Sequence, residues 1–328
     1  MATTSAVTVR RTPLALERYA WVVVAYNILV ILWGAVVRAT GSGAGCGDNW
    51  PLCNGDFVPH HPRLATVIEF AHRQSTTVAT VLIIGLVVWT FYTTKRGARV
   101  RRAAVASMVF LVTEALLGAV LVLGGYVQNN ISTGRVVMQS VHFTNTLLLL
   151  GSLALTAWWL GDSRRTALRV TPRLVGVAWL AVGATIVMGA TGALAALADT
   201  LFPSASLQDA LTADFAAGSP LLVRMRWMHP AAALVGACCV LWLVFRVRSR
   251  LSWVVAGFLG LQFVLGIGDV LLLAPTWMQV LHLLGADLYW VALVCLVAET
   301  IWGPPVSTSE VKTLQAEDRK YRSKIQLQ

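Results

Sequence analysis

Charge is scarce in this chain. Only 12% of its 328 residues are Asp, Glu, Lys or Arg and 57% are hydrophobic, whereas a soluble globular domain carries about a quarter charged side chains. That shortage excludes a water-soluble fold of this length, and the ordered apolar pattern excludes a disordered chain. Also missing is the two-residue alternation of barrel strands, so long apolar runs, if they cross a bilayer, cross it as helices. Acidic groups are scarcer than basic ones, 15 against 26, for a formal net charge of +11. Such an excess raises the question of nucleic acid, which the placement of the charges answers.

Eight apolar runs are long enough to span a hydrocarbon core, at about 20 residues each: Tyr19 to Val37, Val67 to Tyr92, Ala103 to Leu123, Val136 to Leu160, Pro172 to Ala198, Leu222 to Phe245, Trp253 to Ala274 and Thr276 to Trp302. Twenty of the 26 basic residues fall before the first run, after the last, or in alternate loops, beginning with Arg10, Arg11 and Arg18 and ending with the group from Lys312 to Lys324. Cytoplasmic loops carry such an excess, so both termini are expected in the cytoplasm. The basic charge is then a topology signal, and no nucleic-acid partner is expected. Arg38, Arg63, Arg73, Arg135, Arg224 and Arg226 belong to the opposite, outward loops. The first run continues into Arg38 and a glycine-rich loop with no small-residue cleavage site, and reads as a retained helix rather than a removed signal peptide. The polar tail from 303 to 328 reads as a cytoplasmic extension.

The chain repeats itself. The fourth run opens Met138-Gln139-Ser140-Val141-His142 and the eighth Met278-Gln279-Val280-Leu281-His282, an offset of 140 residues. Leu117-Gly118 in the third run matches Leu265-Gly266 in the seventh, and the second and sixth runs each carry one histidine near the outer end, His72 and His229. The expected architecture is all-α and membrane-integral: eight helices as two parallel repeats, each a four-helix bundle. The bounds are 1–18 for a cytoplasmic N-terminus, 19–160 for the first bundle, 161–171 for a cytoplasmic linker, 172–302 for the second bundle and 303–328 for the tail.

A lone intramembrane histidine is most often a packing residue that makes a hydrogen bond. Four in equivalent positions point elsewhere. One imidazole from the second helix of a bundle and one from the fourth can face each other at the same depth, which is what a low-spin haem iron needs as axial ligands, within an apolar wall that suits the macrocycle. The alternative is that they are relics of duplication making only helix contacts. Copper or zinc is disfavoured because no third or fourth ligand joins either pair. His60 and His61 read as loop surface.

The halves differ. Glu69 and His72 are three apart and share a helix face, whereas Arg226 stands where the second half would match Glu69. A carboxylate there can serve as a general base or stabilise a developing cation, or simply favour a helix N-terminus. Arg73, Arg135, Arg224 and Arg226 are candidates for pairing with haem propionates, or for anchoring helices at lipid headgroups. Of five cysteines, Cys238, Cys239 and Cys295 lie inside runs and read as packing. Cys46 and Cys53 lie in the first outward loop, where a disulfide can persist. Such a bond either staples the loop, contributing about 2 to 3 kcal/mol, or exchanges electrons above a haem.

Taken together, Arg38-Ala39-Thr40-Gly41-Ser42-Gly43-Ala44-Gly45-Cys46, Trp50-Pro51-Leu52-Cys53-Asn54-Gly55, Glu69-Phe70-Ala71-His72-Arg73 and the later His142, His229 and His282 resemble the haem A synthase family, in its bacterial type with a cysteine pair. The likeness covers roughly Tyr19 to Trp302. It implies a bacterial plasma-membrane enzyme serving terminal oxidases, an oxidoreductase that converts the C8 methyl of haem O to the formyl of haem A by successive hydroxylations, with water as the oxygen source. It implies that His72 and His142 flank the substrate haem, that His229 and His282 ligate a haem b that relays electrons, that Glu69 is the acidic active-site residue, and that Cys46 and Cys53 form the disulfide. A haem O synthase is the implied candidate for handing over substrate; the electron acceptor is not named. Pro230 departs from what a helix carrying His229 would suit, since an internal proline kinks a helix. Two other classes fit the four histidines: a dihaem membrane cytochrome b that only transfers electrons, and a haem carrier that oxidises nothing.

Overall fold

A computed structural model describes residues 13–161 and 171–302. The N-terminal segment through 12, most of the expected linker (162–170) and the tail (303–328), with the basic residues they contain, lie outside the described residues.

Within a bilayer a backbone amide has no water to turn to, so each apolar run satisfies its own amides as a helix. Ten helices form among the described residues: α1 (Leu14–Ala39), α2 (Leu64–Thr93), α3 (Arg99–Leu123), α4 (Thr133–Leu160), α5 (Pro172–Leu201), α6 (Leu207–Phe215), α7 (Leu221–Arg224), α8 (Met228–Val247), α9 (Arg250–Leu271) and α10 (Thr276–Trp302). No strand is present among them, and with α7 and α8 taken as one segment, eight are long and apolar enough to cross a membrane. The all-α, multi-pass expectation is met. Local chemistry marks several starts: Ser132 accepts from the Arg135 amide, Thr171 from the Leu174 amide ahead of Pro172, and Ser249 from the Ser252 amide, the N-cap arrangement that satisfies otherwise orphaned donors.

In the first half α1 packs on α2 and α4, α2 on α3, and α3 on α4; in the second α5 packs on α8 and α10, α8 on α9, and α9 on α10. The halves meet where α1 and α4 face α5 and α10. Along that seam Leu150, Leu153, Ala154 and Ala157 of α4 and Leu293 and Leu296 of α10 are wholly buried, with Ala20, Ala178 and Ala181 opposite. Small residues matter because lipid is as apolar as leucine, and helix association relies on close approach and specific hydrogen bonds. The Trp290 indole donates to the Leu147 carbonyl at 2.7 Å and lies over Gly151, where a Cβ would come within 3.2 Å of its nitrogen. Outward-facing Val109, Val112 and Leu116 of α3, and Val264 and Ile267 of α9, are exposed, as lipid-facing residues are.

Two local features differ from the sequence expectation. The sixth run is broken: α7 ends at Arg224 and α8 begins at Met228. In consequence Pro230 is the third residue of α8 and not internal to a longer helix. Amides in a first turn have no intrahelical acceptor, and Pro is tolerated there. The Arg226 carbonyl that residue 230 would otherwise use accepts from the His229 amide at 3.1 Å. The expected kink is therefore unnecessary, and the break itself sets the position of His229. The other feature is α6, whose start is marked by Ser206: its hydroxyl accepts from the Asp209 amide at 3.1 Å and donates to the Asp209 carboxylate at 2.7 Å, a capping arrangement three residues apart.

Candidate functional site

His72 lies on α2 and His142 on α4 of the first half; His229 lies on α8 and His282 on α10 of the second. All four histidines are partly buried, unlike His60 and His61, which are exposed in the α1–α2 loop. The His229 and His282 rings lie with centroids 6.2 Å apart and planes at 78°. Two metal–imidazole bonds of about 2 Å plus the half-widths of two rings come to about 6 Å, so the spacing suits one iron between them. The His229 Nδ1 faces the Met188 carbonyl at 3.1 Å, the outer contact that fixes the tautomer of a metal-bound histidine and leaves Nε2 for the metal. The Nδ1 atoms of His72, His142 and His282 are buried without a hydrogen-bond partner. Such orphaned nitrogens are rare in finished cores, and they fit rings kept for an added group.

Three of the four rings rest on a glycine of the neighbouring helix. A Cβ at Gly34 of α1 would approach His72 Cε1 to 3.1 Å, at Gly192 of α5 it would approach His229 Cε1 to 2.9 Å, and at Gly266 of α9 it would approach His282 Cε1 to 3.2 Å. Each glycine clears the space that its imidazole fills. The fourth ring is treated differently: a Cβ at Gly118 meets nothing within 4 Å, and from α3 Glu114 Oε1 lies 3.7 Å from His142 Nε2.

Glu69 is 4% exposed and lies beyond the first turn of α2, so the helix-dipole explanation of its charge does not hold. Its Oε2 accepts from the Cys46 amide at 2.8 Å and its Oε1 from Arg73 Nε at 3.1 Å. Arg73 in turn donates to the carbonyls of Asn49 and Leu52, both at 2.7 Å, and Thr66 Oγ1 donates to the Gly45 carbonyl at 2.7 Å. The loop thus sits as a clamp on the start of α2, closed by the Cys46–Cys53 disulfide. Both sulfur residues are buried, at 0% and 1% exposure; labile, electron-exchanging disulfides are strained or exposed ones, so burial favours the staple. Gly45 lies against the Ala65 backbone so closely that a Cβ would overlap its carbonyl. Gly45→Ala is expected to lift the loop and to cost about 1 to 3 kcal/mol. Thermal unfolding in detergent would show the loss, with faster reduction of the disulfide as its cover opens.

The four arginines considered for propionates are placed variously. Arg73 is engaged as above. Arg135 donates to the Gln128 and Asn130 carbonyls, with its Nε buried and unpartnered. Arg226 pairs with Asp199 at 2.9 Å and Asp214 at 2.7 Å, and Arg224 is exposed. Sequence reasoning overlooked Arg38, which crosses from α1 into the second half and donates to the Ala196 carbonyl and Thr200 Oγ1, both at 2.6 Å, and to Gln279 Oε1 at 2.8 Å. The available signal was the arginine itself at the end of the first apolar run, with the glutamine of the repeated Met-Gln-x-x-His element as a separate polar residue; their pairing depends on helix packing. The supporting glycines carried no signal readable along the chain.

Residues 17–294 match the family described as Cytochrome oxidase assembly protein. Over 294 residues the chain is 41% identical to a Thermus thermophilus protein named Protoheme IX farnesyltransferase, a match covering 87% of this chain and 48% of that protein. It is 38% identical over 130 residues to proteins named Heme A synthase from Bacillus cereus and Bacillus anthracis, 39% of each chain. The chain spans about half the length of the Thermus relative and aligns with less than half of the Bacillus ones.

Proposed function

Because the chain belongs to the Cytochrome oxidase assembly protein family, we propose that it is a haem A synthase, oxidising the C8 methyl of haem O to a formyl group at the first pair of histidines. The observation that carries this reading is the inequality of two similar halves. Each holds a histidine pair, and among the described residues only the first places a buried carboxylate, Glu69, one turn from a pair member; Asp287, also buried, lies five residues beyond His282 on α10. An electron carrier has no evident use for that carboxylate. The names borne by the Bacillus relatives agree with the reading.

In this proposal residues 19–160 form the substrate half and 172–302 the haem b half, two copies of one ancestral four-helix repeat, with both termini cytoplasmic in a bacterial plasma membrane. His72 and His142 hold the substrate iron and so fix the position of its methyl edge. Glu69 faces that edge as proton acceptor or as counter-charge to the cation that develops when electrons leave the methyl carbon. Arg73 and the Cys46 amide keep the carboxylate oriented, and the stapled loop covers the site from bulk water. His229 and His282 would hold the haem b, which would supply one-electron chemistry when bound. Conversion of methyl to formyl with water as oxygen source releases four electrons and four protons, so an acceptor outside the chain is required. The Thermus relative, matched over 48% of its length and named for farnesyl transfer to protohaem, supports a haem O synthase as the donor of substrate.

The test is to purify the protein from cells supplied with haem O, extract the haems and identify them by chromatography and mass. Haem b together with haem O, a hydroxylated intermediate or haem A is the expected result. Haem b alone in both halves, with haem O present and never bound, would replace the proposal with the dihaem electron carrier. Haem O bound and returned unchanged with an oxidant present would replace it with the haem carrier.

A further inference from the structure

Glu114 has no part in the reaction as proposed, yet it is the one carboxylate beside a histidine of either pair on α3 or α9. It is held there. Its Oε2 accepts from Asn145 Nδ2 at 2.6 Å and its Oε1 from Thr146 Oγ1 at 2.5 Å, while Asn145 is itself fixed by Thr113 Oγ1 at 2.6 Å and the Phe110 carbonyl at 2.9 Å. These contacts hold Oε1 3.7 Å from His142 Nε2. That is too long for a hydrogen bond, and a movement of about an ångström would make one. In the register that aligns Leu117-Gly118 with Leu265-Gly266, the second half has Gln262 in place of Glu114, and the Gln262 amide nitrogen is buried with no partner. The first half therefore sets a carboxylate beside the ring on its last helix, and the second has at the matching position an amide that packs against Gly285.

We propose that Glu114 is a positioning residue that competes with iron for His142, keeping the axial bond in the first half exchangeable so that substrate can enter and product can leave. The inference rests on the assignment of the first half to substrate. Iron takes an imidazole through a nitrogen that carries no proton, and a neutral ring places its proton on the other nitrogen. At His229 the Met188 carbonyl holds the proton on Nδ1 and leaves Nε2 to metal. At His142 the Nδ1 has no partner, and the acceptor lies on the Nε2 side. Release breaks the iron–nitrogen bond with its electron pair returning to Nε2. The ring's single proton passes from Nδ1 to Nε2 by exchange with water, and the new N–H donates to Glu114. Nothing is oxidised or reduced, and the ring stays neutral. His282 lacks a partner at Nδ1 as well, but among the described residues no carboxylate lies within 4 Å of its ring nitrogens to draw it off the iron.

The experiment loads the full-length protein with haem O in the first half and haem b in the second, then follows transfer of each to excess apomyoglobin, identifying the haems by chromatography. Glu114→Gln is expected to slow haem O transfer about tenfold, at the lower end of what an outer partner contributes to a metal site, with haem b transfer unchanged. Thr146→Val, which frees Oε1 to turn to His142, is expected to speed haem O transfer. A role confined to packing α3 on α4 would move both variants in the same direction, which overturns the inference. Wild-type rates in both variants overturn it as well. Failure of the wild-type protein to take haem O into the first half would instead remove the assignment of the halves on which it stands.

Discussion

Glu69→Gln is expected to keep both haem sites filled and to lower formyl production by about two to four orders of magnitude, the usual weight of a positioned general base. The carboxylate spends Oε2 on the Cys46 amide and Oε1 on both Nε and Nη2 of Arg73, so the lone pair left for substrate is on Oε2. Glutamine keeps the shape and one acceptor. Its NH2 then faces either the Cys46 N–H or the Arg73 guanidinium, donor against donor, so a loss of about 1 to 3 kcal/mol in stability is expected as well. The helices that carry His72, His142, His229 and His282 do not depend on that contact, so absorption spectra and haem stoichiometry should match wild type. Haem content and haem A yield, measured on the same preparation, separate the two effects. Wild-type haem A yield from Glu69→Gln would exclude Glu69 from the chemistry and remove the observation on which the enzymatic reading stands.

The histidines and Glu69 were legible in the sequence because their signal is local or repeated. Met-Gln-x-x-His recurs at a fixed offset, and a three-residue spacing on a helix means one face whatever surrounds it. What could not be read is which faces meet. In a soluble helix the apolar stripe points to the core, but in a bilayer the lipid-facing and protein-facing sides are both apolar. Nothing along the chain distinguishes α10, largely buried at the centre, from α3 or α9, whose valines and leucines face outward. The glycines beneath His72, His229 and His282, the reach of Arg38 to Gln279, and the approach of Glu114 to His142 are contacts between helices and depend on that undetermined packing. The break before α8 escaped for a related reason. Hydropathy averages across a turn of three residues, so Leu221 to Val247 reads as one span even though His229 owes its position to the interruption.

His282→Ala is expected to remove the second haem and, with it, nearly all product, while leaving haem O binding in the first half intact. In the proposal the ring pair at 6.2 Å and 78° is one ligand set; with His282 gone, His229 alone would offer a single nitrogen, and alanine cannot refill the space that Gly266 cleared for the ring. Any haem retained by His229 should be five-coordinate and high-spin, should dissociate during purification, and should return to the low-spin form when free imidazole enters the cavity. Gly192→Ala probes the same pair without deleting a ligand: its Cβ would lie 2.9 Å from His229 Cε1, displacing the ring from the Met188 carbonyl and weakening haem b retention to a smaller degree. Because the proposal assigns these residues to the haem b half, product loss in His282→Ala with haem O still bound would mean that electrons taken from the methyl carbon leave through the second half. If the variant instead kept a low-spin haem in that half at wild-type stoichiometry, His282 would not be its ligand, and the glycine beneath it would need another explanation. If it lost that haem and still formed haem A at the wild-type rate, the electrons would be leaving the first half directly, and the duplication would serve some purpose other than relay.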